Sequence, residues 1–279
     1  MAIDNFNPTI WSGVLISALQ KNLVFGEVAN KDYEGVISNV GSSVKLNGLD
    51  DITIGDYVKN TNIADPETLT GVDQSLVIDQ ADYFNFQIDD IDKTQQTPKL
   101  MSAAMENAAY RLRDVADQYI ASLHTGAAAE NLIGNDTTPI ALTADNAYQT
   151  IVQARAALSR ANAPTDGRWM VVPPEVYSLL LLDKRFVQAT SAGDEVMANG
   201  RVGTIAGFTI YESNNVVEAT GEYKVMFGQR GAITFASQIM QMEAYRPEKR
   251  FADAVKGLHV YGAKVVRPES LGVITATVA

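Results

Sequence analysis

Three aspartates close the stretch QADYFNFQIDDIDKTQQ: Asp89, Asp90 and Asp92 fall within four positions. Carboxylates at such spacing are the ligands with which phosphate-handling enzymes hold Mg²⁺ or Ca²⁺, cations that take six or more oxygens. In an extended strand, however, Asp90 and Asp92 share one face while Asp89 points to the other, so at most two carboxylates converge. The residues read instead as the solvated end of a strand, with Asp89 or Asp92 near Lys93.

Other chemistries find fewer parts. A nucleophilic triad needs a histidine base held by an orienting group, and the chain has only His124 and His259. The first falls at the end of a helical stretch, the second inside an alternating one beside Leu258 and Val260, and no G-x-S-x-G elbow accompanies them. GLHVYGAK approaches a phosphate loop, but Ala263 separates Gly262 from Lys264 and no Ser or Thr follows. It reads as a strand with glycine at a bend. The absence of cysteine excludes disulfides, thiolate metal sites and Cys nucleophiles. Met101/Met105 and Met240/Met242 fit core packing. No catalytic, cofactor-binding or metal-binding residue is expected, and the chain does not read as an enzyme.

The 279 residues are 46% hydrophobic and 20% charged, enough for a core and unlike a disordered or fibrous chain. Residues 1–13 lack the basic start and apolar run of a signal peptide, and no apolar stretch is long enough to span a membrane. The expected setting is cytosolic, without a membrane partner. The net charge of -11 argues against a surface that grips nucleic-acid phosphates throughout. That charge is segregated: positions 50–92 hold eleven acidic residues against Lys59, a net of -10, whereas 246–267 hold six basic and two acidic, a net of +4. Asp50, Asp51, Asp56, Asp65, Glu67, Asp89, Asp90 and Asp92 on one side, and Arg246, Lys249 and Arg250 on the other, are the candidate subunit-interface residues.

The elements that must position these residues follow from periodicity. Positions 1–32 form an arm with Phe6, Trp11 and a short amphipathic stretch but little to pack on. YEGVISNVGSSVKLNG alternates as a twisted hairpin strand, LDDITIGDYVKNTNIADPETLTGVD is turn-rich and should project, and SLVIDQADYFNFQID reads as one return strand. Leu76, Ile78, Phe84, Phe86 and Ile88 share its apolar face, which Gln80 and Asp82 interrupt, so that part of the face is solvated or meets a partner. After Thr97 and Pro98 comes the clearest helix, running to about His124 with a stripe of Met101, Met105, Ala108, Leu112, Val115, Tyr119 and Leu123, and with Asp117 among the residues off it. A second helix starts at Thr143. RWMVV is a buried strand, PPEVYSLLLLDKRF a helix opened by proline and VGTIAGFTIYESNNV a strand pair, together a compact α/β unit. The remainder is β, ending in two strands joined by a Pro-containing turn.

In this order and spacing the pieces resemble the major capsid proteins of tailed bacteriophages with the Hong Kong 97-like fold. NPTIWSGVLISALQKNLVFGEVANKDYEG matches the N-terminal arm and KLMSAAMENAAYRLRDVADQYIASL the spine helix. RWMVVPPEVYSLLLLDKRF and NGRVGTIAGFTIYESNNV match the axial domain, and RPEKRFADAVKGLHVYGAKVVRPESLGV the closing peripheral strands. The resemblance covers nearly the whole chain. It implies an α+β fold divided into an arm (1–32), an extended β-hairpin loop (33–96), a peripheral domain with the spine helix (97–143), an axial α/β domain (144–222) and closing peripheral strands (223–279). It further implies pentamers and hexamers that close an icosahedral shell around double-stranded DNA held without sequence preference. The extended loop would lie across a neighbour, and the place of the protein would be the virion, assembled in the host cytoplasm. Because Met1 leads directly into the arm, a separate scaffolding protein is expected, with a portal. Lys45 and Lys59 are the loop lysines available for crosslinking, but no asparagine or promoting carboxylate is identified. The alternative is an encapsulin-like bacterial compartment enclosing enzymes, which shares the shell geometry.

Overall fold

The computed structural model describes residues 24–32, 43–49, 53–57, 59–60, 62, 65–66, 71–89, 100–182 and 203–278. The helices among them are α1 (Phe25–Val28), α2 (Leu100–Ser122), α3 (Ala147–Arg160) and α4 (Pro174–Leu182). The strands begin with β1 (Ser43–Leu49), β2 (Gly71–Val77), β3 (Gln80–Asp89), β4 (Leu132–Ile133), β5 (Ile140–Leu142) and β6 (Arg168–Val172). There follow β7 (Thr204–Ile205), β8 (Phe208–Glu212), β9 (Glu218–Ala219), β10 (Glu222–Gln229), β11 (Ile233–Tyr245), β12 (Ala252–Val265) and β13 (Leu271–Val278).

Three sheets result. β1 and β2 form an antiparallel ribbon, β11-β12-β3 an antiparallel three-stranded sheet, and β4-β13-β10-β6-β8-β7 the path of an eight-stranded sheet to which β5 and β9 add. The large sheet takes β6, β7, β8 and β9 from the expected axial unit and β4, β5, β10 and β13 from outside it. The boundaries near 143 and 222 therefore mark changes of sequence pattern and do not separate sheets. Its core is made by Ile151, Ala154 and Leu158 of α3 and Val176 and Leu180 of α4 against Met170, Val172, Val225 and Phe227. Each of these side chains larger than alanine, fully buried, contributes about 1.5–3 kcal/mol.

α3 begins at Ala147, after a turn, and not at Thr143: the Thr143 N–H donates to Asn146 Oδ1, and Asn146 Nδ2 donates to Ala141 O. At its other end the buried Arg168 donates to the carbonyls of Ala163 and Pro164 and to Ser159 Oγ, closing the loop into β6.

The spine helix is present and buries Met105 and Leu112 of its expected stripe, but Ala109, Ala116 and Ile120 are buried where Ala108, Val115 and Tyr119 were expected. Met105, Ala109, Leu112, Ala116 and Ile120 face the core, while Val115 is exposed. Alanines at 109 and 116 let the helix approach its neighbours more closely than Val115 or Tyr119 would allow. Its first half lies on Phe84, Phe86 and Val255 of the three-stranded sheet. Its second half meets Phe25, Trp169, Phe235 and Tyr261. Asp117, expected off the stripe, is buried.

The return strand is two strands, a correction: β2 pairs with β1 and β3 with β12, and residues 78 and 79 lie outside both. The alternation expected across it continues through the break, with Leu76 and Ile78 both buried in one cluster with Val260 and Ala236. Gly262 makes room for the crossing, since a Cβ there would lie 2.5 Å from the Val77 carbonyl oxygen and 3.0 Å from Ile78 Cα. Lys264 Nζ donates to Ser75 O at 2.9 Å and ties the root of the ribbon to β12.

Candidate functional site

No helix among the described residues is long and apolar enough to cross a membrane, and none of the described residues form a cluster of three or more His, Asp or Glu side chains able to hold a metal ion. His124 ends the spine region with Nδ1 3.1 Å from Ala121 O. His259 is buried in β12 and stacked on Tyr261, ring centroids 5.0 Å apart.

That histidine belongs to a polar seam between α2 and the three-stranded sheet. Tyr261 donates its hydroxyl to Asp82 Oδ2 at 2.6 Å, and Tyr119 donates to Asp79 Oδ1 at 3.2 Å. The two tyrosine rings meet edge to face. Asp82, which interrupts the apolar face in sequence, thus has a partner within its own chain. Burial, reinforced by the hydrogen bond to Asp82, pushes the Tyr261 phenol up. Burial also holds the His259 imidazole down at about 4, against a smaller opposing pull from Asp82. The seam is thus neutral at its histidine near pH 7.

The exposed features lie elsewhere. Positions 53–57, 59–60, 62 and 65–66 are exposed without regular secondary structure. They carry Asp56, Asp65 and two large apolar side chains, Ile54 at 93% and Tyr57 at 74% exposure. Asp50, Asp51, Glu67, Asp90 and Asp92 lie outside the described residues. At the opposite end of the sheet, the turn from β11 to β12 presents Arg246, Lys249 and Arg250 together with Phe251, which is 84% exposed. Arg246 reaches Asp253 of its own chain at 3.6 Å. Asp89, exposed, pairs in register with Ala252, so the end of the acidic segment lies beside the root of the basic turn in the same chain. On the same sheet, Lys256 bridges to Glu243 at 2.8 Å and lies 5.1 Å from the Tyr245 ring centroid, while Tyr245 donates to Asn85 Oδ1. Tyr83 stands exposed beside this ladder.

Sequence reasoning found the charged members of these surfaces and set Tyr83 on the face opposite the apolar one, where it is exposed, but missed Ile54, Tyr57 and Phe251. A signal was available: each of these three is a large apolar residue inside a polar or turn-rich stretch. Large apolar side chains this exposed are candidates for contact with another surface. Among the described residues no three His, Asp or Glu side chains converge. The arrangement offers contact.

No curated protein sequence matches the chain. The sequence model of the family described as "Phage capsid protein" matches residues 72–275, from β2 to β13. A solved structure from Mycobacterium phage Che8 superimposes with a TM-score of 0.72 at 30% identity, covering 91% of each chain. The capsid of Cyanophage P-SCSP1u is similar at TM-score 0.69 and 17% identity, over 92% of this chain and 89% of that one. A virus-like particle from Pyrococcus furiosus shares the fold at TM-score 0.60 and 14% identity, over 98% and 100% of the two chains. Both the mixed α and β architecture and the capsid resemblance drawn from the sequence agree with these matches, and the chain belongs to the phage capsid protein family.

Proposed function

We propose that this chain is a virion coat protein of Hong Kong 97-like fold that forms pentamers and hexamers and closes them into an icosahedral shell around double-stranded DNA. One observation carries the reading beyond family membership. The β1–β2 ribbon joins the body at the buried Leu76 and Ile78, and between its strands Ile54 and Tyr57 are exposed at 93% and 74%. A two-stranded ribbon is marginal in water, so a partner surface is needed, and a second copy supplies one. A separate scaffolding protein and a portal fit the same reading. So does loosely held DNA, because an acidic chain neutralises few phosphates.

Electron microscopy of native particles, with their ultraviolet spectrum, tests this. Closed particles absorbing as nucleic acid support it. Closed particles filled with protein and free of DNA favour the enzyme-enclosing compartment, and a chain that never closes particles under assembly conditions removes the shell reading.

The interface reading is that the acidic loop of one copy docks on the basic turn of the next. Arg246 already has Asp253 as partner, whereas Lys249 and Arg250 make no ion pair among the described residues and remain available to a neighbour. The Lys249→Glu/Arg250→Glu double variant is therefore expected to keep its circular dichroism spectrum and to lose closed shells at least tenfold. Charge complementarity sets register and encounter more than raw affinity, so the loss should ease at high salt for single reversals. Normal shell yield from the double variant sinks the interface reading.

A further inference from the structure

Asp117 is a buried carboxylate inside the spine helix, and no cation forms a salt bridge with it among the described residues. Its partners are backbone amides from ninety positions earlier. Val24 N–H donates to Oδ2 at 2.9 Å and Gly26 N–H to Oδ1 at 3.3 Å. Burial pushes its pKa up, and the amides of Val24, Gly26 and Phe25, with the more distant Arg113, pull the other way. A carboxylate taken out of water at this cost persists where the amides it accepts from would otherwise be orphaned.

Those amides open α1, a single turn between two further anchors. Phe25, Val28 and Ala29 are buried against Ala116, Ile120 and Phe235. Asn30 then joins the edge of β11, its N–H donating to Ile233 O at 2.8 Å and its carbonyl accepting from Phe235 N–H at 2.9 Å. Residues 24–30 are thus a strap held at three points. The β bridge acts at the strap's end and the apolar anchor along the rest of it, Val24 and Phe25 included, and among the described residues Asp117 is the side chain that hydrogen-bonds its beginning. Apolar contacts tolerate sliding, and a lone bridge tolerates rotation about it. Two hydrogen bonds to the two oxygens of one rigid carboxylate fix both the position and the direction of the chain at Val24.

We propose that Asp117 is the positioning residue that sets how the chain departs at Val24 toward its first 23 residues, so that closure of a shell depends on this carboxylate more than folding of the body does. The proposal rests on the shell reading above. It also separates two roles: a residue needed merely for the core would, when changed, loosen α2 as a whole, whereas a positioning residue loosens the strap alone.

Hydrogen exchange on the unassembled full chain, followed by shell yield, tests it with Asp117→Asn and Asp117→Leu. The asparagine keeps shape and one acceptor but turns a donor toward the amides. The leucine fills the site with no acceptor. In Asp117→Asn the amides of residues 24–26 should exchange at least tenfold faster, those of residues 105–112 should stay as protected as before, and closed shells should fall at least tenfold. Should Asp117→Leu fail to fold, the asparagine variant still decides the matter. Unchanged exchange at 24–26, equal loosening of 105–112, or wild-type shell yield despite a loosened strap each overturns the proposal. A wild-type chain that closes no shells removes the shell reading itself, while the exchange comparison still decides whether Asp117 holds the strap.

Discussion

Gly262→Val should cost about 3 kcal/mol, the upper end of the usual range for over-packing, and should abolish shell closure. Glycine here is a matter of space. The nearest atoms to a built Cβ are the Val77 carbonyl oxygen and the backbone and side chain of Ile78, and backbone cannot rotate aside as the end of a lysine would. The ribbon root must therefore lift off β12, which also strains the bond from Lys264 to the Ser75 carbonyl and uncovers Leu76 and Ile78. Denaturant titration of the unassembled protein reads the cost. Limited proteolysis reads the place, with cleavage expected first between residues 43 and 79. Gly55→Val is the control, because nothing lies within 4 Å of its built Cβ. Equal stability and equal proteolysis in the two valine variants would mean that the crossing at Gly262 does not hold the ribbon.

Acidification should remove a comparable amount of stability through one residue. The His259 imidazole has a pKa of about 4 when folded against 6.5 when free. Between those values the unfolded chain takes up a proton that the folded chain refuses, so the contribution is complete above about pH 6.5 and declines as pH falls toward 4. The difference amounts to about 3 kcal/mol at 1.36 kcal/mol per unit. His259→Phe keeps a ring against Tyr261 and removes both the titration and the buried Nδ1, which has no hydrogen-bond partner. Stability of the wild type should fall more steeply than that of the variant from pH 6.5 to 4.5, whatever their absolute values. Parallel curves over that interval would falsify the assignment.

Much of the architecture was legible where one residue pattern had one structural outcome. RWMVV, buried at every position, is a strand in the middle of a sheet, and the Pro-opened helix and the closing strands lie where their punctuation put them. Reading failed where size and burial part company. The expected spine stripe runs through Val115 and Tyr119, yet the small Ala109 and Ala116 are the buried positions and Val115 is exposed. Asp117, expected off the stripe, is buried because a distant segment brings amides to its carboxylate. Asp82 looked like an interruption because Tyr261 lies 179 positions away. Among the interface candidates, charge segregation named Lys249 and Arg250 but could not show that Arg246 folds back on Asp253 or that Asp89 lies beside the same turn.

The Asn30 bridge bears on a hazard of any coat protein, which must accumulate to high concentration before its shells form. β11 is thirteen residues long and lies at the edge of its sheet, where a bare row of N–H and C=O groups invites uncontrolled strand addition and amyloid-like stacking. The strap occupies the start of that edge, and the register shift between Ile239 and Gln241 breaks the regularity of the rest. The strap thereby also covers part of an edge open to fibre growth, so a chain lacking residues 24–30 is expected to lose solubility.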